Sequence, residues 1–301
     1  MKKKKWVSLL VAAILVFSLI PTTVLANETR ESRTIDFSTF LEEIASAEYN
    51  YDGKGVTVEW SPSSACTDSR PDHTCLFDES APQADGNNPQ RAQGPNAQYH
   101  IFNGQENVKI VNVNFKFNPA DFTICLNSNW KGSFSKENIK NAELQMQNTG
   151  DVYFSGCSFD GVIVSPFSSA TKSTFTDCDF NNVYNAYAIK DIYSPNASIT
   201  GCTFDNCGGG IYFEGNAAKG NIIIQNNVFT NVDAYAEESK KFTRGLIQFS
   251  ANGDYSNADI TIADNTSTGE AATVRQLNTT ITADVLDLDE VVENNKFAGN
   301  I

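Results

Sequence analysis

The sequence predicts an all-β solenoid in which short strands stack coil upon coil. A six-residue pattern recurs along the chain: apolar, any, Gly/Asp/Asn, Cys/Asn, any, Phe. Beside it, apolar residues alternate with period two, as in Val108-x-Ile110, Ala197-x-Ile199, Ile222-x-Ile224 and Ile260-x-Ile262, which is the signature of half-buried strands. Asn, Gly, Asp and Ser fill the gaps, and these residues accept tight or left-handed turns. Strands so short cannot bury a face alone. Stacking repeated units, at about 4.8 Å per rung, solves this.

The first 26 residues read as an export signal rather than as fold. Lys2 to Lys5 make a positive start, Trp6 to Ile20 an apolar run, and Val24-Leu25-Ala26 a small-residue cleavage pattern, so cleavage is expected after Ala26. The leader has a bacterial form. Removing its four lysines takes the net charge from −14 to −18. No later apolar run is long enough to span a bilayer, so a secreted or cell-surface protein with no membrane span is expected. The acidic balance excludes most nucleic-acid readers, which carry a basic footprint. Only His73 and His100 are available for histidine metal chemistry.

Residues 27–107 are expected to form an N-terminal cap and a long loop. Asp36 is a plausible N-cap, and Phe37, Phe40, Leu41 and Ile44 fall on one helical face, so a capping helix is expected to cover the first coil. Val56 to Trp60 reads as an early strand. Ser61 to Gly94 is rich in Ser, Pro, Asp, Asn and Gly and reads as a surface loop.

From residue 108 to 301 the pattern takes over. Its clear copies are Phe154–Phe159, Phe175–Phe180, Ile199–Phe204, Ile224–Phe229 and Val292–Phe297, with looser ones at Ile110–Phe115 and Ile262–Ser267. The steps between fourth positions are 44, 21, 24, 25, 38 and 30 residues. The step of 44 suggests two units with one decayed copy between Phe117 and Phe154, while 38 and 30 imply inserted loops. Further strands are expected at Val162–Val164, Ala188–Ile192, Ile211–Glu214, Leu246–Phe249 and Thr273–Leu277. Asn at the fourth position can bond the next coil in a ladder, with Cys157, Cys178 and Cys202 in its place in three units. Phe159, Phe180, Phe204 and Phe229 should form an inward aromatic stack. Asp284 to Val292 is expected to fold over the far end, since an uncovered coil would expose strand edges.

This pattern resembles the right-handed parallel β-helix repeat of the pectate-lyase-like superfamily, over about Val108 to Ile301. The resemblance implies a single-stranded right-handed parallel β-helix. Its implication for function is weak, because that architecture hosts lyases, hydrolases, tailspikes and adhesins. A β-sandwich is the competing fold, but the fixed Cys/Asn-x-Phe spacing gives no reason for its hairpins. Of the motifs the resemblance would bring, Asn-Thr-Asp, Asp-Asp, Gly-His-Gly and Arg-Ile-Lys of the polygalacturonase-like hydrolases do not occur, nor does the Arg-x-Pro-x-x-Arg segment of the pectate lyases.

Cys66 and Cys75 lie nine apart in a polar loop of a chain read as exported, and a disulfide between them is expected. Cys157, Cys178 and Cys202 read as inward packing residues, with Cys207 in the next turn. The redox state of these four and of Cys125 stays open. The cysteine ladder lacks the paired spacing of zinc motifs, so no metal site is assigned. Calcium at Asp177, Asp179 and Asp205 is a weak alternative to their role as turn formers.

The candidate chemistry is on the strands after the repeat Phe. Lys190 is ten past Phe180 and Glu214 ten past Phe204, which would set them side by side on adjacent rungs. Asp191, Tyr212, Gln248 and Arg275 fall in the same strand region. As catalytic candidates Lys190, Asp191, Glu214 and Arg275 offer a carboxylate pair for glycoside hydrolysis and a base beside carboxylates for lyase chemistry. Tyr187, Tyr212 and Gln248 are ligand-contact candidates, since exposed aromatics suit sugar rings. An inter-rung ion pair on a solvated face is the plain structural alternative. The favoured function is binding of extracellular polysaccharide or surface glycan by a monomer. The alternatives are a polysaccharide lyase or glycoside hydrolase, and a non-catalytic adhesin or structural module. The negative charge disfavours anionic uronates.

Overall fold

A computed structural model of the chain describes residues 33–60, 90–93, 96–118, 140–146, 149–166, 171–215, 220–232, 244–268, 274–276 and 281–298. The leader, Cys66, Cys75 and Cys125 lie outside the described residues. The chain order opens with β1 (Thr34–Asp36), α1 (Phe37–Ser46), β2 (Asn50–Glu59), β3 (Gln90–Gln93), β4 (Asn96–Ile101), β5 (Asn107–Lys116) and β6 (Asn141–Met146). Then come β7 (Asp151–Ser155), β8 (Ser158–Asp160), β9 (Val162–Ser165), β10 (Lys172–Thr176), β11 (Asp179–Asn181), β12 (Tyr187–Ile192), β13 (Asn196–Thr200), β14 (Thr203–Asp205) and β15 (Gly209–Phe213). The order closes with β16 (Gly220–Gln225), β17 (Val228–Thr230), β18 (Ile247–Phe249), β19 (Ala258–Ala263), β20 (Thr266–Ser267), β21 (Val274–Gln276) and α2 (Leu288–Glu293).

Each coil contributes three strands. β7, β10, β13, β16 and β19 stack in parallel on a first face, and β8, β11, β14, β17 and β20 on a second. β6, β9, β12, β15, β18 and β21 stack on a third. A left-handed residue turns the chain from first to second face: Gly156, Asp177, Gly201, Asn226 and Asp264 all have positive φ. This is the third position of the repeat, and it explains why only Gly, Asp and Asn occupy it. β5 runs through the same bend, with Asn112 at φ 55, and pairs with both β7 and β8.

That pairing corrects the reading of the 44-residue step. Asn114 is in register with Ser158 and Phe115 with Phe159. The two coils are therefore adjacent, with no decayed copy between them. The extra length lies between β5 and β6, inside one coil. β2 also runs parallel to β5, with Tyr51 opposite Ile110 and Val58 opposite Phe115, so stacking begins upstream of Val108. β3 and β4 are antiparallel, the one departure from parallel pairing among the described strands.

The core is built of columns. Phe115, Phe159, Phe180, Phe204 and Phe229 stack with ring centroids 5.3, 4.8, 5.0 and 4.8 Å apart. Beside them Cys157, Cys178, Cys202, Asn227, Asn265 and Asn295 make the ladder of the fourth position. Asn227 Nδ2 donates to Ile199 O at 2.9 Å, and Asn265 Nδ2 donates to Ile224 O at 2.9 Å. The N–H of Cys202 donates to Asn227 Oδ1 at 2.9 Å, so thiol and amide rungs join directly. The four described cysteines, Cys157, Cys178, Cys202 and Cys207, are free and buried.

Both ends are covered by helices. Asp36 caps α1 by accepting from the Thr39 N–H at 2.7 Å. Phe37, Phe40 and Ile44 are buried, and Phe40 meets Phe115 edge-on at 5.1 Å, so the helix closes the aromatic stack. At the other end Ile281, Leu286 and Val291 are buried under α2. Here the repeat pattern misplaced one position: Val292 is exposed and Val291 takes the inward place, because the segment is helical. Asn295 nonetheless continues the ladder, donating to Ile262 O at 2.8 Å. Among the described residues no helix is long and apolar enough to cross a membrane.

Candidate glycan-binding face

The third face carries the candidate residues. Pairing sets Gln145 opposite Ser165, and Tyr212 opposite Gln248, which in turn lies opposite Arg275. Ile189 is opposite both Val164 and Ile211. A row of polar residues thus crosses the stack, from Gln145 and Ser165 through Lys190 and Tyr212 to Gln248 and Arg275.

The row has one irregularity, at its centre. Ile189 pairs with Ile211, but Ile192 pairs with Phe213. Two residues of β12, Lys190 and Asp191, therefore face one residue of β15, Tyr212. Asp191 takes up the extra length with φ 54. Such a bulge re-aims a side chain out of the regular alternation. It also corrects the expected adjacency of Lys190 and Glu214. Counting from the repeat Phe fails because the connection from Phe180 to Tyr187 is two residues longer than that from Phe204 to Gly209. Lys190 falls beside Tyr212 instead, and Glu214 beyond the bulge.

Lys190 is anchored from below. Its Nζ lies 3.0 Å from Glu143 Oε1 and 3.4 Å from Asp191 Oδ2. Glu143 points to the outer face of β6, yet its side chain is fully buried. Ser165 Oγ donates to Asp191 Oδ2 at 3.2 Å. Burial pulls the ammonium pKa of Lys190 down, but Glu143 and then Asp191 outweigh it, and the net shift is upward. Lys190 is therefore held protonated.

Next to it lies an aromatic pair. Tyr187 and Tyr212 stack with centroids 5.0 Å apart and planes 20° from parallel. Tyr187 lies over Gly209, where an added Cβ would fall 2.6 Å from the ring, so only glycine leaves room. Its hydroxyl donates to Gln248 Oε1 at 2.5 Å. The Arg244 guanidinium sits 5.9 Å from the Tyr187 ring centroid and donates to Asn185 Oδ1 at 2.5 Å. Burial, and then the Glu214 carboxylate, pushes the Tyr212 phenol well up, so it stays protonated. Asn252 Nδ2 donates to Glu214 Oε1 at 2.7 Å. Burial, and then the charges of Glu214 and Asp191, raise the Tyr193 phenol.

The structure thus gathers Lys190, Asp191, Tyr187, Tyr212, Glu214 and Gln248, but it corrects the expected exposure of the ligand contacts: Tyr187 and Gln248 are buried, because the Tyr187 ring packs over Gly209 and its hydroxyl bonds Gln248, and only Tyr212 of the three is partly exposed. Arg275 follows by register on the next rung, one beyond Gln248. Of the aspartates considered for calcium, Asp177 is a left-handed turn residue, while Asp179 on β11 accepts from Thr203 Oγ1 and Asp205 on β14 accepts from Asn231 Nδ2. Sequence reasoning missed Glu143, Ser165, Arg244 and Asn252. Glu143 was legible in the alternation Ala142-Glu-Leu144-Gln-Met146, whose apolar members are all inward. Asn252 and Arg244 lie on connections with no repeat to place them.

The family model for a right-handed β-helix region matches residues 101–267, more than half of the chain. The chain belongs to this family of right-handed β-helix proteins. Among curated proteins and among solved structures, nothing matches it.

Proposed function

We propose that this is an exported β-helix protein that binds a polysaccharide or surface glycan along its third face. The observation that carries the reading is the partly exposed Tyr212 ring, backed at 5.0 Å by the buried Tyr187 ring on rigid strands and facing the Lys190–Asp191 bulge. A flat ring held from behind suits the apolar face of a sugar ring, and nearby carboxylates accept from its hydroxyls. The leader at residues 1–26 supports an exported location. Binding is favoured over lyase chemistry by Lys190. A proton-abstracting lysine needs a lowered pKa, whereas Glu143 and Asp191 raise that of Lys190.

Calorimetric titration of the chain against a panel of soluble glycans tests this, with reducing ends and unsaturated products followed in parallel. The expected result is saturable binding of at least one glycan, lost in Tyr212→Ala, without turnover. Turnover abolished by Glu214→Gln would replace binding by the enzyme reading. Binding unchanged in Tyr212→Ala would remove the third face as the site.

A further inference from the structure

An ion pair is sunk beneath the third face. Every residue of β6 is buried, and the outward Glu143 side chain is sealed from solvent with its Oε1 3.0 Å from Lys190 Nζ. The lysine reaches it from two rungs away, across β9. Asp191 completes the group. Its Oδ2 lies 3.4 Å from the same Nζ and accepts from Ser165 Oγ at 3.2 Å. Lys190 and Asp191 stay partly open to solvent, and Glu143 does not. An amine, a sealed carboxyl and a second carboxylate thus meet at one nitrogen. Holding charges this deep is costly, because their desolvation can exceed their attraction.

We infer that Lys190 and Glu143 condense into a side-chain amide, an isopeptide bond that staples the coil of β6 to the coil of β12. Nζ is already in contact with the carboxyl group whose carbon it attacks, and such fixed placement replaces the entropy cost of an encounter. The ammonium first passes a proton to Glu143, which leaves a free amine and a carboxylic acid. Burial pulls the lysine pKa down and the two carboxylates outweigh it, which opposes loss of a proton to water. Transfer within the pair is a different step. There Asp191 loses one attraction and one repulsion together, and burial favours the neutral pair. The Nζ lone pair then bonds to Glu143 Cδ, and the carbonyl π pair moves onto oxygen. Asp191 accepts a proton from Nζ and returns it to the departing hydroxyl. The carbonyl re-forms, the C–OH bond breaks, and one water leaves by the open side at Asp191. The step needs no oxidant, reductant or other reagent. Two buried charges become one neutral amide, which removes their desolvation penalty, and the sealed side excludes water that would hydrolyse it. A freshly folded chain carries the ion pair and an aged one the amide. Tyr212 takes no part, so glycan binding and this bond stand or fall separately.

The bond changes what trypsin leaves. Cleavage after Lys140, Lys172, Lys190 and Lys219 releases residues 141–172, 173–190 and 191–219 as separate peptides. An acylated Lys190 is not cleaved. The expected product is therefore 173–219 undivided, joined to 141–172 and lighter than the two together by one water. The test holds the purified chain folded at neutral pH, takes aliquots over days, denatures and alkylates them, and follows these peptides by mass spectrometry. The joined species should grow to be the main form. Dehydration of an Asp or Asn elsewhere also lowers the mass, but leaves cleavage at Lys190 intact. Full cleavage at Lys190 throughout the series overturns the inference, and this wild-type result decides it even where a variant fails to fold. Joining that proceeds equally fast in concentrated urea overturns it too, because the fold would then not be its cause. Lys190→Met and Glu143→Ala should each abolish the joined species, and its survival in either overturns the assignment. Asp191→Asn keeps the shape of the side chain and should slow joining by about a hundredfold, as for a lost acid–base group. An unchanged rate there removes Asp191 as the proton carrier.

Discussion

The Nζ of Lys190 lies 3.0 Å from Oε1 of Glu143, a carboxylate wholly shut off from solvent on the outer face of its sheet. The two come from different coils: Glu143 on β6 and Lys190 on β12 are separated by β9. A buried pair is weak evidence for stability in itself, but breaking it leaves an uncompensated charge. Glu143→Ala should therefore lower unfolding stability by about 3–5 kcal/mol, and the double variant with Lys190→Met should recover most of that loss. Urea midpoints of the single and double variants measure this. Equal loss in both would mean that packing, not charge, is what Glu143 supplies.

The aromatic column gives a second expectation. Phe180 is fully buried and lies 4.8 Å from Phe159 and 5.0 Å from Phe204. Phe180→Ala removes a ring with stacked neighbours on both sides, and should cost about 3–5 kcal/mol. A loss below 1 kcal/mol in chemical denaturation would show that the column collapses to fill the gap.

The amide ladder behaves differently. Asn227 donates to Ile199 O and accepts from the Cys202 N–H, all in the buried interior. Asn227→Ala leaves both backbone groups unsatisfied and should cost about 2–4 kcal/mol, the desolvation of two polar groups. Amide hydrogen exchange at Cys202 should accelerate in the same variant, and unchanged protection would contradict the ladder as the source of its order.

The thiols carry a pH dependence. Burial pushes the Cys207 thiol up to about 12, and the neighbouring Cys178 thiol, and then burial, raise Cys157 further still. In the unfolded chain a thiol ionises from about pH 8.5. The folded form thus holds its protons longer, so this contribution to stability is fully present below about pH 8.5 and is lost as pH rises toward 12. Melting temperature should fall over that window, and less so in Cys207→Ala. A thiol reagent at pH 8 should leave these four cysteines unmodified until the chain is unfolded.

The platform rests on a glycine. Gly209→Ala would put a Cβ 2.6 Å from the Tyr187 ring. The ring must leave its place over β15, losing its bond to Gln248 and its stack on Tyr212, so glycan affinity should fall by about tenfold and the melting temperature should fall with it. Intact affinity in this variant would exclude Tyr187 from the contact.

By itself the sequence determined the coil. The inward columns of Phe, Cys and Asn, the left-handed third position and the capping helix at Asp36 all follow from short-range pattern, because each rung repeats the same local chemistry. The two-residue length difference between Phe180–Tyr187 and Phe204–Gly209 was present in the sequence but unreadable there, since turns between faces have no fixed length. Only the pairing of strands decided that Lys190 and Asp191 face Tyr212, and that Glu143, 47 residues before Lys190 in the chain, sits beneath it. The core is periodic and so legible locally. The face is made where insertions break the period, and there the register of neighbouring coils, not the sequence of one, sets which charges meet.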